Sequence, residues 1–356
     1  MAGRFEWLEF SQVDLSDSFF DSLKHDYLEF SDWFKKKSIE NAQALVFKDE
    51  KGIVAFLYLK EETEKIEMKD SFLPAIPRIK IGTLKLDERF RGQRLGEGAI
   101  GVALWKWQES LLEEIYVTVF QKHEVLTTLF SMYGFKKVGE NSRGEAVYLK
   151  NRESLDYTDA KKSFPFINPY FTKAGILPIE DNYHDKLFPY SELHGNDSKH
   201  IEEITAGNGV TKIFIASPFT ETSYRVGEPV FIYRKYDGPG KTYKSVITSF
   251  GCVVGKKVIK NRGREIISLS EYLALVGNKS VFSKTELIDL YNAKKNLVIL
   301  VLLYNGYFGK GNNVNHHTLS RKGLFETHPY KIEYTKADFE SILMLANANV
   351  KNIILD

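Results

Sequence analysis

With 356 residues, 27% charged and 43% hydrophobic, and a formal net charge of +2, the chain has the make-up of a globular protein and the length for two domains. That composition excludes a disordered chain, and a single cysteine, Cys252, excludes an internal disulfide framework and favours a reducing compartment. No apolar run reaches the length of a membrane span and the N-terminus lacks a secretory pattern, so a cytoplasmic protein is expected.

In chain order, Phe20, Leu23, Tyr27, Phe30 and Phe34 recur at helical spacing and predict an amphipathic helix. Ala44–Phe47 and Ile53–Leu59 flank Asp49-Glu50-Lys51-Gly52, a hairpin with a glycine turn. Ile79, Ile81, Leu84 and Leu86, with Lys80, Thr83 and Lys85 between them, predict a strand. A compact turn, Asp87-Glu88-Arg89-Phe90, leads into Arg91-Gly92-Gln93-Arg94-Leu95-Gly96-Glu97-Gly98. Gly96, Ile100, Ala103 and Trp107 then share one helical face, so the glycine-rich turn opens a helix. Backbone N–H groups at such a place, on the positive end of a helix dipole, suit a phosphate chain; packing glycines in a plain strand–turn–helix give the same pattern. Ile115, Val117 and Val119 alternate with Tyr116, Thr118 and Phe120 as a second strand. Leu126, Leu129, Phe130 and Tyr133 line a short helix that stops at Gly134, and a hairpin over Phe135–Glu140 and Glu145–Lys150 follows.

Leu84-Lys85-Leu86, the Arg91–Gly96 loop and the Gly134-Phe135 pair resemble the acetyl-coenzyme A signature of the Gcn5-related N-acetyltransferases. The resemblance covers residues 1–150 and implies a mixed sheet with flanking helices, in which the cofactor wedges between two splayed strands, here Ile79–Leu86 and Ile115–Phe120. It implies that Leu84, Lys85 and Leu86 pair with pantetheine. The N–H groups of Gln93, Arg94, Leu95, Gly96 and Glu97 would bind the pyrophosphate, helped by Gly92, Arg91 and Arg94. Two departures stand out. Arg94 replaces the middle glycine of the family loop, which fits if its side chain points outward. Aligned on Gly134-Phe135, His123 occupies the family's asparagine position and Phe130 the position of its tyrosine acid; Tyr133 lies three residues beyond. A thiol's low pKa makes protonation of the leaving thiolate helpful rather than essential. Glu67, His123 and Asp87 are candidates for the base.

The second half begins with a polar stretch at 151–160, then residues carrying prolines 165, 169, 178 and 189 among aromatics; 151–200 reads as a linker and packing segment. His184, His194 and His200 lack paired ligand spacing and read as surface or capping residues, with no metal expected. From 201 to 356 the pattern is β-rich: Lys212–Ala216, Val230–Arg234, Val246–Val254 and Leu297–Tyr304 are strands. Serine caps mark helix starts at Ser270 and Ser283, and Thr335 caps a last helix. Val226-Gly227-Glu228-Pro229 followed by Val230-Phe231-Ile232-Tyr233 resembles the ASCH and PUA-like β-barrels, which implies RNA binding. The whole chain is thus expected to be mixed α+β.

Charge gives a separate argument. Arg234, Lys235, Lys241, Lys244, Lys256, Lys257, Lys260, Arg262 and Arg264 face a single acid, Asp237, between Phe231 and Arg264. Tyr233, Tyr236 and Tyr243 are interleaved, which suits phosphates and unstacked bases; a solvated hairpin that protects an edge strand is the plainer alternative. Asn305–Asn313, His316-His317 and Arg321-Lys322 form either a functional loop or a long turn. The expectation is an acetyltransferase that uses acetyl-coenzyme A and an amine acceptor, recruited as RNA or an RNA-bound molecule such as a charged tRNA. A nucleic-acid-binding regulator with weakened catalysis, and a protein-lysine acetyltransferase, are the alternatives.

Overall fold

The computed structural model describes residues 5–191, 205–218 and 222–355. The chain divides into two compact units, Met1–Leu155 and Asp156–Asp356.

The first unit begins with β1 (Phe5–Glu9), α1 (Asp21–Asp26) and α2 (Phe30–Ile39). β2 (Gln43–Asp49) and β3 (Gly52–Glu62) form the first hairpin, and β4 (Ile66–Glu67) with β5 (Phe72–Leu73) a small separate one. β6 (Arg78–Leu86), α3 (Leu95–Glu109), β7 (Glu114–Phe120), α4 (Glu124–Met132), β8 (Lys136–Glu140) and β9 (Glu145–Asn151) complete it. The sheet runs β1-β2-β3-β6-β7-β9-β8, and only β6 and β7 are parallel. Their crossover is α3, whose Ile100, Ala103 and Trp107 are fully buried, as the apolar spacing predicts. Alternation along β3 sends Phe56 and Tyr58 into a core with Phe20, Phe30 and Phe34, while Ala55 packs with Leu95 and Leu86.

The single helix expected over Phe20–Phe34 is broken. Tyr27 is extended (φ −133°, ψ 99°) and its hydroxyl donates to Glu145 Oε1 at 2.6 Å. Asp26 meets Lys122 at 2.8 Å and Glu29 meets Arg143 at 2.6 Å, so partners distant in sequence flank the break at Tyr27–Glu29.

The second unit holds α5 (Ala160–Ser163), β10 (Gly175–Glu180), α6 (Asp181–Leu187), α7 (Thr205–Asn208) and β11 (Thr211–Ala216). β12 (Pro229–Lys235), α8 (Lys241–Lys244), β13 (Val246–Asn261), β14 (Arg264–Glu265), α9 (Leu269–Val276), α10 (Lys284–Ala293) and β15 (Leu297–Tyr307) follow. β16 (Val314–Asn315), α11 (His316–Arg321) and α12 (Lys336–Leu345) end it. The sheet order is β10-β12-β13-β15-β11, with β10 parallel to β12. Register shifts between β13 and β15 at Phe250/Gly251, Val253/Gly255 and Val258/Lys260 bend the long β13 and curl the sheet into a half-barrel. Phe231, Phe250, Phe339 and Ile342 fill one core; Ile213, Tyr272, Leu287 and Ile299 fill another beneath α9 and α10. The fold class is mixed α+β, as expected.

Of the expected linker and packing segment, residues 151–155 belong to the first unit and the described residues from 156 to the second. Asn151 ends β9 and caps the turn Arg152–Ser154, where the Arg152 guanidinium donates to the carbonyls of Trp107 and Ser110 at the end of α3. The proline- and aromatic-rich stretch supplies β10 and buries Phe164, Phe166 and Ile167. Residues 192–204, with His194 and His200, lie outside the described residues. Ser268 rather than Ser270 caps α9, while Ser283 and Thr335 cap α10 and α12 with capping boxes.

His184 is also corrected: it is fully buried, not a surface residue. Its Nδ1 lies 2.8 Å from Asp185 Oδ1 and its Nε2 2.8 Å from Thr248 Oγ1. An ionised carboxylate only accepts, so Nδ1–H donates and Nε2 accepts from the threonine. Arg234 donates to both Asp185 oxygens, at 2.8 and 2.9 Å. Burial lowers the His184 pKa below its ordinary 6.5. Burial alone would raise Asp185, but His184 and Arg234 outweigh it and hold the carboxyl at about 2. Both shifts act in one direction. The unfolded chain protonates His184 where the folded one does not, so stability falls as pH drops through 6.5. Asp185 adds stability above 3.8 that is lost toward about 2. That second loss is worth roughly 2 kcal/mol. His184→Gln is expected to flatten the pH dependence of the unfolding midpoint just below 6.5; an unaltered slope there would refute this account.

Candidate functional site

β6 and β7 pair at Arg78↔Glu114, Ile79↔Ile115, Lys80↔Tyr116 and Ile81↔Val117, and then part. The cause lies on the other side of β6. Against β3 the register steps from Leu59↔Ile81 to Tyr58↔Thr83, which leaves Gly82 as an extra residue. Such a bulge bends a strand. A Cβ at Gly82 would lie 2.9 Å from the Tyr58 ring, so only glycine fits there without a shift. Beyond it, Thr83–Leu86 stays on β3 while β7 stays on β9, and the strands open into a fork. The buried Arg78–Glu114 ion pair closes the other end. The fork opens into a cavity of about 1430 Å³ lined by both strands, by the start of α3 and by Tyr27, Glu62 and His123.

At the mouth Asp87 caps a short 3-10 turn, Glu88–Phe90, and the chain enters α3 at Leu95. A helix's first turn carries N–H groups with no partner inside the helix, and Leu95, Gly96 and Glu97 of that turn line the cavity. Arg94 occupies the left-handed region (φ 63°, ψ 17°) that glycine favours. Its side chain does not point outward: it is 8% exposed and donates to Glu97 Oε2 from Nε (3.0 Å) and Nη2 (2.7 Å). Glu97 also accepts from the Tyr133 hydroxyl at 3.0 Å. Tyr133 therefore ties α3 to the end of α4, and Arg94 is held within the first turn of α3.

The other expected residues separate clearly. Leu84, Lys85, Leu86, Arg91, Gly92, Leu95, Gly96 and Glu97 line the cavity, and so do His123, Phe130, Glu67 and Asp87. Gln93 does not; its N–H donates to Phe90 O at 3.0 Å. Gly96 is a packing glycine, for a Cβ there would meet Leu86 Cδ1 at 2.9 Å and Leu129 Cδ2 at 3.2 Å. Asp87 accepts from Arg89 Nε at 2.7 Å and from Arg89 N at 2.9 Å, so its carboxylate is engaged in the turn. Glu67 is exposed and pairs with Lys65 at 2.6 Å. His123 is the N-cap residue of α4, 44% exposed and 4.0 Å from Asp26; burial and Lys122 lower its pKa, which favours the neutral, proton-accepting ring. Phe130 is 1% exposed and packs on Phe135 and Tyr148.

Sequence analysis missed the face of the fork opposite α3. Glu62 ends β3 with a side chain 6% exposed and accepts from the Tyr116 hydroxyl; Lys60 pairs with it. Burial alone would raise the Glu62 pKa, yet Lys60 and Tyr116 hold it below the usual value. Lys80 lies over the Tyr116 ring, 5.3 Å from Nζ to the centroid. Strand β3 contributes Lys60 and Glu62, β6 Lys80 and β7 Tyr116, a grouping that no local pattern announces.

In the second unit the expected basic segment divides. Arg234 is buried against Asp185, and Lys235 pairs with Glu180 (2.8 Å) and Asp237 (3.1 Å). Lys256 donates to the carbonyls of Thr222 and Tyr224, and buried Lys260 to that of Tyr291. These four hold the fold. Lys257, Arg262 and Arg264 are exposed at the far end of β13, and Lys241 and Lys244 at its start. Sixteen residues of strand separate the groups, roughly 50 Å before bending. Of Tyr233, Tyr236 and Tyr243 only Tyr243 is strongly exposed, at 63%, and its ring lies 5.1 Å from that of His317 on α11. Arg321 and Lys322, at the end of α11, are exposed as well. Cys252 is buried and its thiol pushed up to about 12, which rules it out as a nucleophile near neutral pH. Among the described residues no helix is long and apolar enough to cross a membrane.

No family model and no curated protein matches the chain. Each of the solved structures similar to it covers less than half of the chain. PaiA N-acetyltransferase from Thermoplasma acidophilum, in complex with coenzyme A, is 15% identical with a TM-score of 0.31, over 42% of this chain and 99% of that one. Arabidopsis thaliana NAA60 with a bisubstrate analogue is 12% identical with a TM-score of 0.31, over 42% and 98%. A ZmASCH mutant protein from Zymomonas mobilis is 9% identical with a TM-score of 0.33, over 49% and 96%. Similarity at this level leaves function to be argued from strand order and the geometry of the fork.

Proposed function

We propose that residues 1–155 bind acetyl-coenzyme A in the fork and transfer its acetyl group to an amine. The bulge at Gly82 carries this proposal. It frees the Gly82–Leu86 edge of β6 to pair with an extended pantetheine chain, in line with the donor row at the start of α3. Arg91, exposed at the cavity rim, is the cation best placed to meet a pyrophosphate. The acceptor amine would approach from the face of Tyr27, Glu62, Lys80 and Tyr116. His123 is the strongest candidate for the proton acceptor, since Asp87 is engaged by Arg89 and Glu67 by Lys65.

Arg91→Ala removes a charge-assisted contact worth about 1.5–3 kcal/mol, so acetyl-coenzyme A affinity is expected to fall roughly 10- to 100-fold. Calorimetry on both proteins is the check; a wild-type protein that does not bind would end the proposal.

The second unit is proposed to bring an RNA or an RNA-linked acceptor. The exposed Tyr243–His317 pair with Lys241, Lys244, Arg321 and Lys322 supports it, as an aromatic face among cations. A second possibility, a nucleic-acid-binding regulator without turnover, is favoured by Phe130, which leaves a buried phenyl ring where the resembling family has its acid.

A further inference from the structure

Lys80 stands apart from the other lysines of the cavity. Among those described there, Lys65 pairs with Glu67 at 2.6 Å, Lys85 donates to Ser22 Oγ, and Lys122 pairs with Asp26 at 2.8 Å. Lys80 Nζ lies 4.0 Å from its nearest carboxylate oxygen, Glu62 Oε1, and that carboxylate is already shared by Lys60 and the Tyr116 hydroxyl. The Lys80 side chain is 25% exposed and lines the cavity. Burial lowers its pKa, and Glu62 only partly restores it, so more of the amine is neutral and nucleophilic than on an exposed lysine.

Position supplies the rest. Lys80 pairs with Tyr116 one step before the last parallel pair, Ile81↔Val117. Gly82, where the strands part, is two residues on, about 7 Å along a strand. With the pyrophosphate at the Arg91–Glu97 loop and pantetheine along Leu84–Leu86, the thioester end points down the fork toward Gly82. A lysine side chain spans the remaining distance.

Resting on the proposed donor site, we propose that Lys80 is an internal acetyl acceptor, modified by the protein's own bound acetyl-coenzyme A. The ammonium of Lys80 first gives a proton to water. Nζ then attacks the thioester carbonyl, a C–N bond forms, the C–S bond breaks and the nitrogen gives up a second proton to water. The thiolate is protonated from solvent, so the products are Nε-acetyl-Lys80, coenzyme A and one proton. The amide has lost the charge that faced Glu62 and fills the side from which an external amine would arrive. Acetylation of Lys80 therefore limits the protein's own turnover.

The full-length protein is incubated with acetyl-coenzyme A and its lysines are mapped by peptide mass spectrometry, with calorimetry of acetyl-coenzyme A binding alongside. Acetyl is expected on Lys80 ahead of the exposed Lys35, and the order should reverse with acetic anhydride, which needs no binding site. Excess coenzyme A should suppress modification of Lys80, and in Lys80→Arg no neighbouring lysine should take its place. Binding without an acetyl on Lys80, or acetylation that ignores competing coenzyme A, overturns the inference and leaves the donor site standing. Absence of binding removes both.

Discussion

Glu114→Ala is expected to destabilise the first unit by about 3–5 kcal/mol, the usual result of leaving a buried charge without its partner. Arg78 is 1% exposed; its Nε meets Glu114 Oε2, and its Nη1 donates to Pro74 O at 2.6 Å. Glu114 Oε1 accepts from Asn151 Nδ2 at 3.1 Å. Without the carboxylate, the guanidinium keeps its bonds to the Pro74 and Ile76 carbonyls and a full charge in the interior. A loss of this size is a large part of an ordinary domain's stability. It also strikes the closed end of the fork, where Arg78↔Glu114 is the first parallel pair. All four tryptophans, Trp7, Trp33, Trp105 and Trp107, lie in the first unit, so tryptophan fluorescence in denaturant reports on it alone. Arg78→Met/Glu114→Leu should recover most of the loss, because an apolar pair needs no charge compensation. An unchanged midpoint for Glu114→Ala would show that the pair does not clamp the fork.

Replacing Lys241, Lys244 and Arg321 together with glutamate is expected to abolish RNA binding while the unfolding midpoint stays nearly constant. These side chains are exposed and stand beside the Tyr243–His317 ring pair. Three or four phosphate contacts would give a slope of log affinity against log salt of about −2 to −3 for single strands. Arg234→Ala should do the reverse. It breaks the Asp185 network and destabilises the second unit by roughly 3–5 kcal/mol, with the salt slope unchanged in whatever remains folded. Fluorescence anisotropy of the full-length protein with single-stranded RNA across a salt series measures the first, and thermal unfolding the second. If Arg234→Ala flattened the salt slope and the triple variant bound normally, the interface would lie on β12, not on α8 and α11.

Part of the fork can be read along the chain. Apolar residues of β6 fall at Ile79 and Ile81, then at Leu84 and Leu86, so the alternation changes phase across Gly82 and Thr83. One inserted residue does this to a period-two pattern, and it marks the bulge from which the strands diverge. Gly92 and the apolar spacing of α3 locate the turn and the helix start in the same local way. Gly96 shows the limit of local inference. Its place in a phosphate-loop pattern suggested contact with ligand, but the missing Cβ makes room for Leu86 and Leu129.

What the sequence determined by itself are features whose physics acts within a few residues. Strands and helices follow from period, capping boxes at Ser283 and Thr335 from three-residue spacing, and the order helix, hairpin, strand, glycine turn, helix, strand, helix, hairpin from their succession. Tertiary structure alone decided which polar groups are free. Nine cations between Arg234 and Arg264 formed one basic run on paper. The fold buries Arg234 and Lys260, gives Lys235 and Lys256 to acids and carbonyls on other elements, and parts the rest along β13. The same holds for Tyr27, pulled from a helix by Glu145, and for Lys80, set beside Glu62 and Tyr116 on adjacent strands. A charge's partner is fixed by distance in space, and Coulomb and hydrogen-bond energies take no account of separation along the chain.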